Sequence, residues 1–251
     1  MKHIALGGMS FCGSTVMSYI LGSLSGFCNI GESHWLTDTT KTGERIFCAR
    51  CGPACKVLNE EFRASLQANP DNWYRRIAER LETDGLVSSD KAPVLLDRLD
   101  PERNYDMIVL YKPPELHTRS YITFMRRNGT EPDIGKYLDQ WTNFYRRYLE
   151  NFGIAGTKLF VDIEKFYRDP DHSLDELCKR LSLEFNRDAL IYWRKHHHAV
   201  GGNFNPYSRL LSDPRTLPVV PLEIHPVEEE ILAQIAAHQP SQAIYEALLR
   251  A

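Results

Sequence analysis

The stretch KHIALGGMSFCGST, from Lys2 to Thr15, decides the fold. An apolar run over Lys2 to Leu6 predicts a strand, and the segment from about Ser14 to Leu24 predicts a helix directly after it. Between them, Gly8 to Thr15 has the spacing G-x4-G-x-T, in which glycines let backbone N–H groups converge on an anion at the positive end of the helix. The stretch therefore predicts a phosphate-binding loop. The loop residues expected to contact the anion are Ser10, Phe11, Cys12, Gly13, Ser14 and Thr15.

The same loop lacks one residue that nucleotide triphosphatases need. Ser14 stands where such enzymes carry a lysine that reaches the β- and γ-phosphates. Without that lysine and a convincing acidic partner for magnesium, the loop is poorly suited to ATP or GTP chemistry. What remains is a cradle for a smaller anionic group or, equally, a tight strand-to-helix turn that binds nothing. A P-loop small-molecule kinase stays as a disfavoured alternative.

Strand and helix patterns alternate along the rest of the chain. Further strands are predicted at 27–30, 86–88, 107–111 and 158–163, and helices at about 56–67, 72–82, 115–127, 137–152 and 174–181. This alternation predicts an α/β fold of the P-loop nucleotide-binding type, with a central parallel sheet flanked by helices. We expect one domain over 1–251, with a Cys-containing excursion at about 37–56 and a helical part at about 223–251.

Composition argues against two classes of partner. The 251 residues carry 30 Lys plus Arg against 33 Asp plus Glu, a net charge of −3, whereas nonspecific nucleic-acid binding needs a concentrated basic surface. The sequence has no run near the roughly 20 apolar residues that cross a bilayer, and its start reads as a strand rather than an export signal. We therefore expect a cytoplasmic protein whose cysteines are reduced unless they bind metal, with no nucleic-acid partner and no membrane partner. The sequence does not indicate an oligomeric state.

The loop resembles the N-terminal motif of bacterial sulfotransferases, which reads like G-x-x-R-S-G-S-T. The matching positions are Gly8, Gly13, Ser14 and Thr15. Cys12 replaces the first serine of the motif, and Phe11 stands in place of its basic residue. The resemblance implies that the loop binds the 5′-phosphosulfate of 3′-phosphoadenosine 5′-phosphosulfate (PAPS). A cation at Phe11 would neutralise charge on the departing oxygen, so catalysis must find that cation elsewhere or be weakened.

Two segments downstream resemble the same family at donor-binding positions. Lys112 and Ser120, eight residues apart after an apolar strand, resemble the R-D-P-R…S segment, which implies contacts with the 3′-phosphate of PAPS. Lysine in place of arginine keeps the charge but loses the bidentate geometry. The stretch from His198 to Asn203 resembles the H-x-x-x-G-N segment, in which Gly202 and Asn203 would contact the donor.

Two other segments resemble the family at positions near the chemistry or in the framework. Ser88-Ser89-Asp90-Lys91 resembles D-S-S-K, so Lys91 is a candidate to replace the missing loop cation or, equally, a solvated loop lysine. The segment 161–170 resembles V-x-Y-E-D-L…D-P, where Glu164 is expected to end a strand and cap neighbouring backbone rather than act in catalysis.

The candidate bases follow the second predicted strand. Glu32 belongs to a Gly-Glu segment that resembles the family's, and a position at the carboxyl edge of a parallel sheet makes it the first choice. His34 is the alternative because its ordinary pKa lies closer to neutrality. Each has a structural interpretation as well: Glu32 could bond backbone amides, and His34 could pack beside Trp35. With Lys91, these two residues form the predicted catalytic set.

The cysteines leave three states open. Cys48, Cys51 and Cys55 have the spacing C-x2-C-G-x2-C, which binds zinc only if Cys28, His34 or another group supplies a fourth ligand. A disulfide and reduced, locally packed thiols are equally open, so zinc is not favoured and no metal ligand is assigned. The run 196–198 of three histidines is not favoured as a metal site either, because consecutive residues rarely point at one centre.

The sequence thus predicts an enzyme that moves a sulfuryl group from PAPS to a hydroxyl or amine of a small-molecule acceptor. Adenosine 3′,5′-bisphosphate (PAP) would be released. The small-molecule kinase and a catalytically weakened nucleotide-binding homologue are the alternatives, and Phe11 is the residue that favours the second. The acceptor itself is not indicated by the sequence.

Overall fold

One parallel sheet organises the molecule. The computed structural model describes residues 1–36, 47–91, 93–150, 153–201 and 226–251. The strands of these residues are β1 (Lys2–Gly7), β2 (Phe27–Gly31), β3 (Gly85–Ser88), β4 (Asp106–Tyr111) and β5 (Lys158–Asp162). They lie in the order β2-β3-β1-β4-β5, and every neighbouring pair is parallel. The predicted single domain with a central parallel sheet is confirmed.

Helices cover both faces of the sheet. Those of the described residues are α1 (Ser14–Gly22), α2 (Glu60–Ala68), α3 (Trp73–Leu81), α4 (Pro93–Leu99), α5 (Pro114–Arg127), α6 (Ile134–Glu150), α7 (Ile163–Arg168), α8 (Pro170–Arg180), α9 (Glu229–Ala237) and α10 (Gln239–Arg250). Two 3-10 segments, Ser33–Leu36 and Arg187–Arg194, complete them. Nowhere in this part of the chain is a helix both long and apolar enough to cross a membrane.

The side chains of the central strands alternate between two cores. Ile4 and Leu6 of β1 pack with α1 and the 3-10 segment Arg187–Arg194 on one face. Ala5 lies between them in sequence and packs with the aromatic residues of α6 on the other face. This period of two is the geometry of a pleated strand. Because both faces are covered, the strands are continuously apolar, as the sequence of β4 predicted.

The aromatic helix α6 belongs to the core. Trp141, Tyr145 and Tyr148 are fully buried against the sheet, and the hydroxyl of Tyr145 donates to the carbonyl of Leu110 in β4 at 2.9 Å. Its aromatic residues therefore pack as core residues at helical spacing. The hydroxyl of Tyr148 bonds the backbone carbonyl of Lys91, which ties this helix to the end of β3.

The predicted structural role of Glu164 is wrong. Glu164 was expected to end a strand and cap backbone, but β5 ends at Asp162 and Glu164 lies in the first turn of α7. The Asp162 carboxylate caps that helix by accepting from the amides of Glu164 and Lys165 at 2.9 and 3.4 Å. A shorter aspartate can reach its own following amides, which is why it caps better than a glutamate. Glu164 instead pairs with Arg168 one turn later.

Candidate functional site

The candidate residues that the structure describes follow the carboxyl ends of strands. The phosphate loop follows β1, Glu32 and His34 follow β2, Lys91 follows β3, and Lys112 follows β4. In a parallel sheet these ends share one edge, which is where α/β proteins bind ligands. The strand order places the loop at the centre, with Lys91, Glu32 and His34 on the β3–β2 side and Lys112 on the β4 side.

The loop backbone has the shape of an anion cradle. Gly8 and Gly13 have φ angles of 132° and 87°, values that side-chain-bearing residues rarely adopt. A Cβ at Gly8 would lie 2.6 Å from both the sulfur of Cys12 and the carbonyl oxygen of Leu110. Within the described chain no side chain caps the N-terminus of α1, so its positive end is left to a ligand. Cys12 is fully buried, and it can contribute only backbone to such a ligand.

Phe11 is an unusual residue at the tip of this loop. Its φ of 73° is in the left-handed region, which costs energy in a residue with a side chain and is typical of functional loops. Its ring lies 5.3 Å from that of Phe124 and 6.4 Å from that of His117, both in α5. The position of the family's cation is therefore taken by an aromatic contact with α5.

The β4 side of the loop carries a buried positive charge. Lys112 is 7% exposed, and its Nζ lies 3.4 Å from the hydroxyl of Ser120. No carboxylate of the described residues forms an ion pair with it. Burial lowers the pKa of Lys112. A buried ammonium is costly unless an anion compensates it.

His117 adds a second unsatisfied group on the same side, and the sequence analysis missed it. It is fully buried, and its Nδ1 bonds the hydroxyl of Tyr137 at 2.8 Å. Burial, helped by the nearby charge of Lys112, lowers the pKa of His117 to about 3, while the Ser10 backbone acts in the opposite direction and places the ring beside the loop. Its Nε2 has no partner of hydrogen-bond geometry in the described chain. The spacing of three residues from Ser120 was the available signal, since it puts both on one helical face.

On the other side of the loop, Glu32 and Lys91 form an ion pair. Lys91 Nζ lies 2.7 Å from Oε1 of Glu32, and the indole N–H of Trp35 donates to Oε2 at 2.8 Å. Burial raises the pKa of Glu32, but the pairing with Lys91 outweighs it and the net pKa is lowered. Glu32 is therefore an ionised carboxylate, and Lys91 is neutralised by it.

His34 is oriented by a buried aspartate. Asp90 is fully buried, and its Oδ1 lies 2.7 Å from Nδ1 of His34 and accepts the His34 amide at 2.8 Å. Its Oδ2 accepts from the hydroxyls of Ser33 and Tyr74 at 2.6 and 3.0 Å. With Asp90 accepting from Nδ1–H, the neutral ring carries its lone pair on Nε2. A carboxylate that fixes the tautomer of a histidine is the usual support of a general base.

Tyr148 connects the end of β3 to the start of the loop. The Tyr148 hydroxyl that bonds the Lys91 carbonyl also lies 2.9 Å from the place where a Cβ on Gly7 would be. Lys91 is thus next to the start of the loop.

Gly201 lies against Glu32 and Trp35, at the end of the described segment 153–201. A Cβ on Gly201 would lie 2.5 Å from Trp35 and 2.8 Å from Glu32. The predicted donor contacts Gly202 and Asn203 lie outside the described residues.

Three cysteines and one histidine lie close together beside the segment that precedes Gly201. The ligand atoms of Cys48, Cys51, Cys55 and His198 all lie within 4.8 Å of one another, and none of these cysteines forms a disulfide within the described chain. Neither Cys28 nor His34 joins them: the fourth group is His198. His197 instead turns its ring to Ser23 and the carbonyl of Tyr192. His196 and His198, by contrast, lie on one side with ring centroids 4.5 Å apart, and both contact Cys51. The sequence did not predict that a histidine of this run would join the cysteines.

The thiols of this group do not have the character of reactive cysteines. Burial raises the pKa of Cys48 to about 12 and also raises that of Cys51. Nucleophilic cysteines have a lowered pKa in an electropositive, accessible place. The group is therefore a poor candidate for a catalytic nucleophile.

Comparison with known proteins supports the fold. The sulfotransferase domain of the curacin biosynthetic pathway superimposes with a TM-score of 0.57 at 15% identity, over 95% of this chain and 96% of that chain. The sulfotransferase domain of the Synechococcus PCC 7002 olefin synthase gives 0.57 at 17%, over 99% and 94%. Mouse sulfotransferase SULT7A1, complexed with PAP, gives 0.52 at 11%, over 98% and 88%. No family model and no curated protein matches the chain. The chain thus has the P-loop-type α/β fold that these sulfotransferase structures share.

Proposed function

We propose that this protein is a sulfotransferase that moves a sulfuryl group from PAPS to a hydroxyl or amine of a small molecule. The observation that carries the proposal is the buried Lys112, which lacks a carboxylate partner in the described chain and lies beside Ser120 and the phosphate loop. Such a cation suits a ligand that brings a second anionic group besides the one in the loop. PAPS has that pair of groups, and a mouse protein with the same fold was solved with PAP.

Each side of the loop then has its own task. The loop amides from Ser10 to Thr15 would hold the 5′-phosphosulfate at the N-terminus of α1, and Lys112 with Ser120 would hold the 3′-phosphate. The acceptor oxygen or nitrogen attacks sulfur in line, the bond from sulfur to the bridging phosphate oxygen breaks, and that oxygen keeps the electron pair in PAP. One proton must leave the acceptor in this step.

We assign that proton to Nε2 of His34 rather than to Glu32. Asp90 orients His34 and sets its tautomer, whereas the carboxylate of Glu32 is engaged by Lys91 and Trp35 and has a lowered pKa. A weakly basic, paired carboxylate is the poorer proton acceptor near neutral pH. Glu32 then acts by holding Lys91, whose ammonium supports the departing phosphate oxygen in place of a cation at Phe11.

The test uses the purified chain with PAPS carrying labelled sulfur and a panel of phenols, alcohols and amines. We expect acceptor-dependent transfer of the label and stoichiometric release of PAP. Calorimetry should show tighter binding of PAP than of adenosine 5′-monophosphate, because only PAP reaches Lys112. Equal binding of the two nucleotides, together with no transfer, would defeat the proposal. Preferential ATP binding would favour the small-molecule kinase instead.

The aromatic residue at Phe11 favours a second candidate, a nucleotide-binding homologue that has lost transfer. Its ring packs on α5 where a cation would act on the leaving oxygen. The same experiment separates the two. Tight PAP binding without transfer to any acceptor class would support the binder, whereas turnover in the presence of one acceptor class would exclude it.

A further inference from the structure

The distances from the His198 imidazole to the sulfurs of Cys48, Cys51 and Cys55 match those around a shared metal ion. Nδ1 of His198 lies 3.7 Å from the sulfur of Cys48, 3.8 Å from that of Cys51 and 3.3 Å from that of Cys55. A zinc ion bound at ordinary Zn–S and Zn–N lengths separates sulfur from nitrogen by about 3.6 Å and two sulfurs by about 3.8 Å. The three measured separations bracket that value, and every ligand atom lies within 4.8 Å of the others.

Hydrogen-bond donors lie beside the sulfurs. The backbone amide of Leu58 donates to the sulfur of Cys55 at 3.3 Å. Nε2 of His196 lies 3.2 Å from the sulfur of Cys51, at the distance of an outer hydrogen bond to a metal-bound sulfur. These contacts would orient the sulfurs of Cys51 and Cys55, as outer hydrogen bonds orient metal ligands.

Two other uses of the cysteines fit the structure less well. A disulfide needs two sulfurs at about 2 Å and would leave the third thiol and the imidazole without a purpose, while all three cysteines here are free. Simple packing of thiols does not require one imidazole nitrogen to face all three sulfurs. Only a shared cation accounts for that convergence.

We propose that Cys48, Cys51, Cys55 and His198 bind one zinc ion as a closed, four-ligand structural site. On binding, each of the three thiols gives its proton to solvent and the histidine binds as the neutral ring. Three thiolates and Zn²⁺ leave a net charge of −1, which the nearby guanidinium of Arg50 complements. With all four positions taken by protein, no position is left for a reactive water.

The site would hold two distant segments together. Cys48 pairs with Gly52 and with Val200 through backbone bridges, and the amide of Ala49 donates to Ala199 at 2.8 Å. Val200 also accepts the amide of Glu32 at 2.8 Å. Zinc would therefore fasten the segment before Gly201 onto the outer wall of the site, next to Glu32 and Trp35.

The first experiment measures metal in the purified 251-residue chain, without nucleotide, so its outcome is independent of the transfer reaction. We expect about one zinc per chain by mass spectrometry. Removing zinc with a strong chelator under reducing conditions should lower the melting temperature. Cobalt added to the stripped protein should give the visible spectrum of a tetrahedral thiolate site. Absence of zinc together with absence of thiolate-to-cobalt absorption would overturn the proposal without any variant.

Variants then test the ligand set. Cys51→Ser and His198→Ala should lose most of the bound zinc, whereas Cys28→Ser, a cysteine outside the group, should keep it. His196→Ala should also keep it, because this ring acts through Cys51. Should His198→Ala fail to fold, His198→Cys provides a set of four thiolates that should retain zinc and intensify the charge-transfer bands of cobalt. Loss of zinc in Cys28→Ser, or full zinc in Cys51→Ser, would show that the ligands are different ones.

Discussion

The two sides of the phosphate loop differ in whether their charged side chains are paired with opposite charges. On the β4 side, Lys112 is buried with no carboxylate partner in the described chain, and the buried His117 beside it meets the Tyr137 hydroxyl and the Ser10 backbone rather than a charged group. On the β2–β3 side, Lys91 pairs with Glu32, and Asp90 accepts four hydrogen bonds. Both lysines follow parallel strands at one sheet edge. The contrast teaches that burial marks a ligand site only where the protein itself supplies no counter-charge.

The largest expected effect is on turnover and comes from the β2–β3 side of the loop. His34→Gln should lower turnover by roughly 10²- to 10⁴-fold, the usual contribution of a general base. PAP affinity should change little because His34 lies on the opposite side of the loop from Lys112. Turnover is measured as PAP release with the acceptor found in the transfer assay.

Glu32→Gln is the matched control, since it removes a charge on the same side without touching the Asp90–His34 pair. Its loss of turnover should be the smaller of the two. If Glu32→Gln proved the more damaging change, Glu32 rather than His34 would be the base.

The next effect is on PAP affinity, and it distinguishes Lys112 from Lys91. Lys112→Ala should weaken PAP binding by roughly 30-fold or more, since truncating one partner of a buried charge pair costs about 2 kcal/mol at least. Lys91→Ala should change PAP binding by less than about threefold, because Glu32 already neutralises that ammonium. Calorimetry with both variants gives the comparison.

Adenosine 5′-monophosphate serves as the control ligand in those titrations. Its affinity should be nearly the same in the wild type and in Lys112→Ala, because it lacks the 3′-phosphate. Equal losses for both nucleotides, or a larger loss in Lys91→Ala, would contradict the assignment of the β4 side.

The last prediction is a pH dependence of stability that a ligand should reduce. Burial lowers the pKa of His117 from its ordinary 6.5 to about 3, so below pH 6.5 the unfolded chain binds a proton that the folded chain does not. Stability contributed by the neutral ring is therefore present above pH 6.5 and is lost as the pH falls toward 3, by up to about 1.4 kcal/mol per pH unit. His3 and His197, whose pKa values burial lowers to about 4 and about 3, act in the same direction.

Urea unfolding between pH 7 and pH 4 measures this slope. His117→Gln should reduce it by about one proton, and saturating PAP should reduce it in the wild type because an anion beside Lys112 raises the pKa of His117. An unchanged slope in His117→Gln would show that this ring is not the buried neutral group inferred from the structure.

Sequence reasoning found the parts of the site that are local. Glycine spacing predicted the loop, and apolar periodicity predicted all five strands to within about one residue at each end. It predicted Glu32 as the first choice of base and His34 as the alternative, and it left Lys91 as either a replacement cation or a solvated lysine. Nothing local shows which charges will be paired. Asp90 was visible only as a motif neighbour of Lys91, yet it supports His34 from 56 positions away.

What the sequence by itself determined is therefore the P-loop architecture and the edge of the sheet at which a ligand can bind, since turn chemistry and periodicity act over a few residues. Only the tertiary structure decided which lysine lacks a counter-charge in the described chain, which acidic group orients His34, and which histidine joins three cysteines some 150 positions earlier. Those outcomes depend on the strand order β2-β3-β1-β4-β5. That order brings distant residues to one edge, and burial there makes each pairing, or its absence, energetically large.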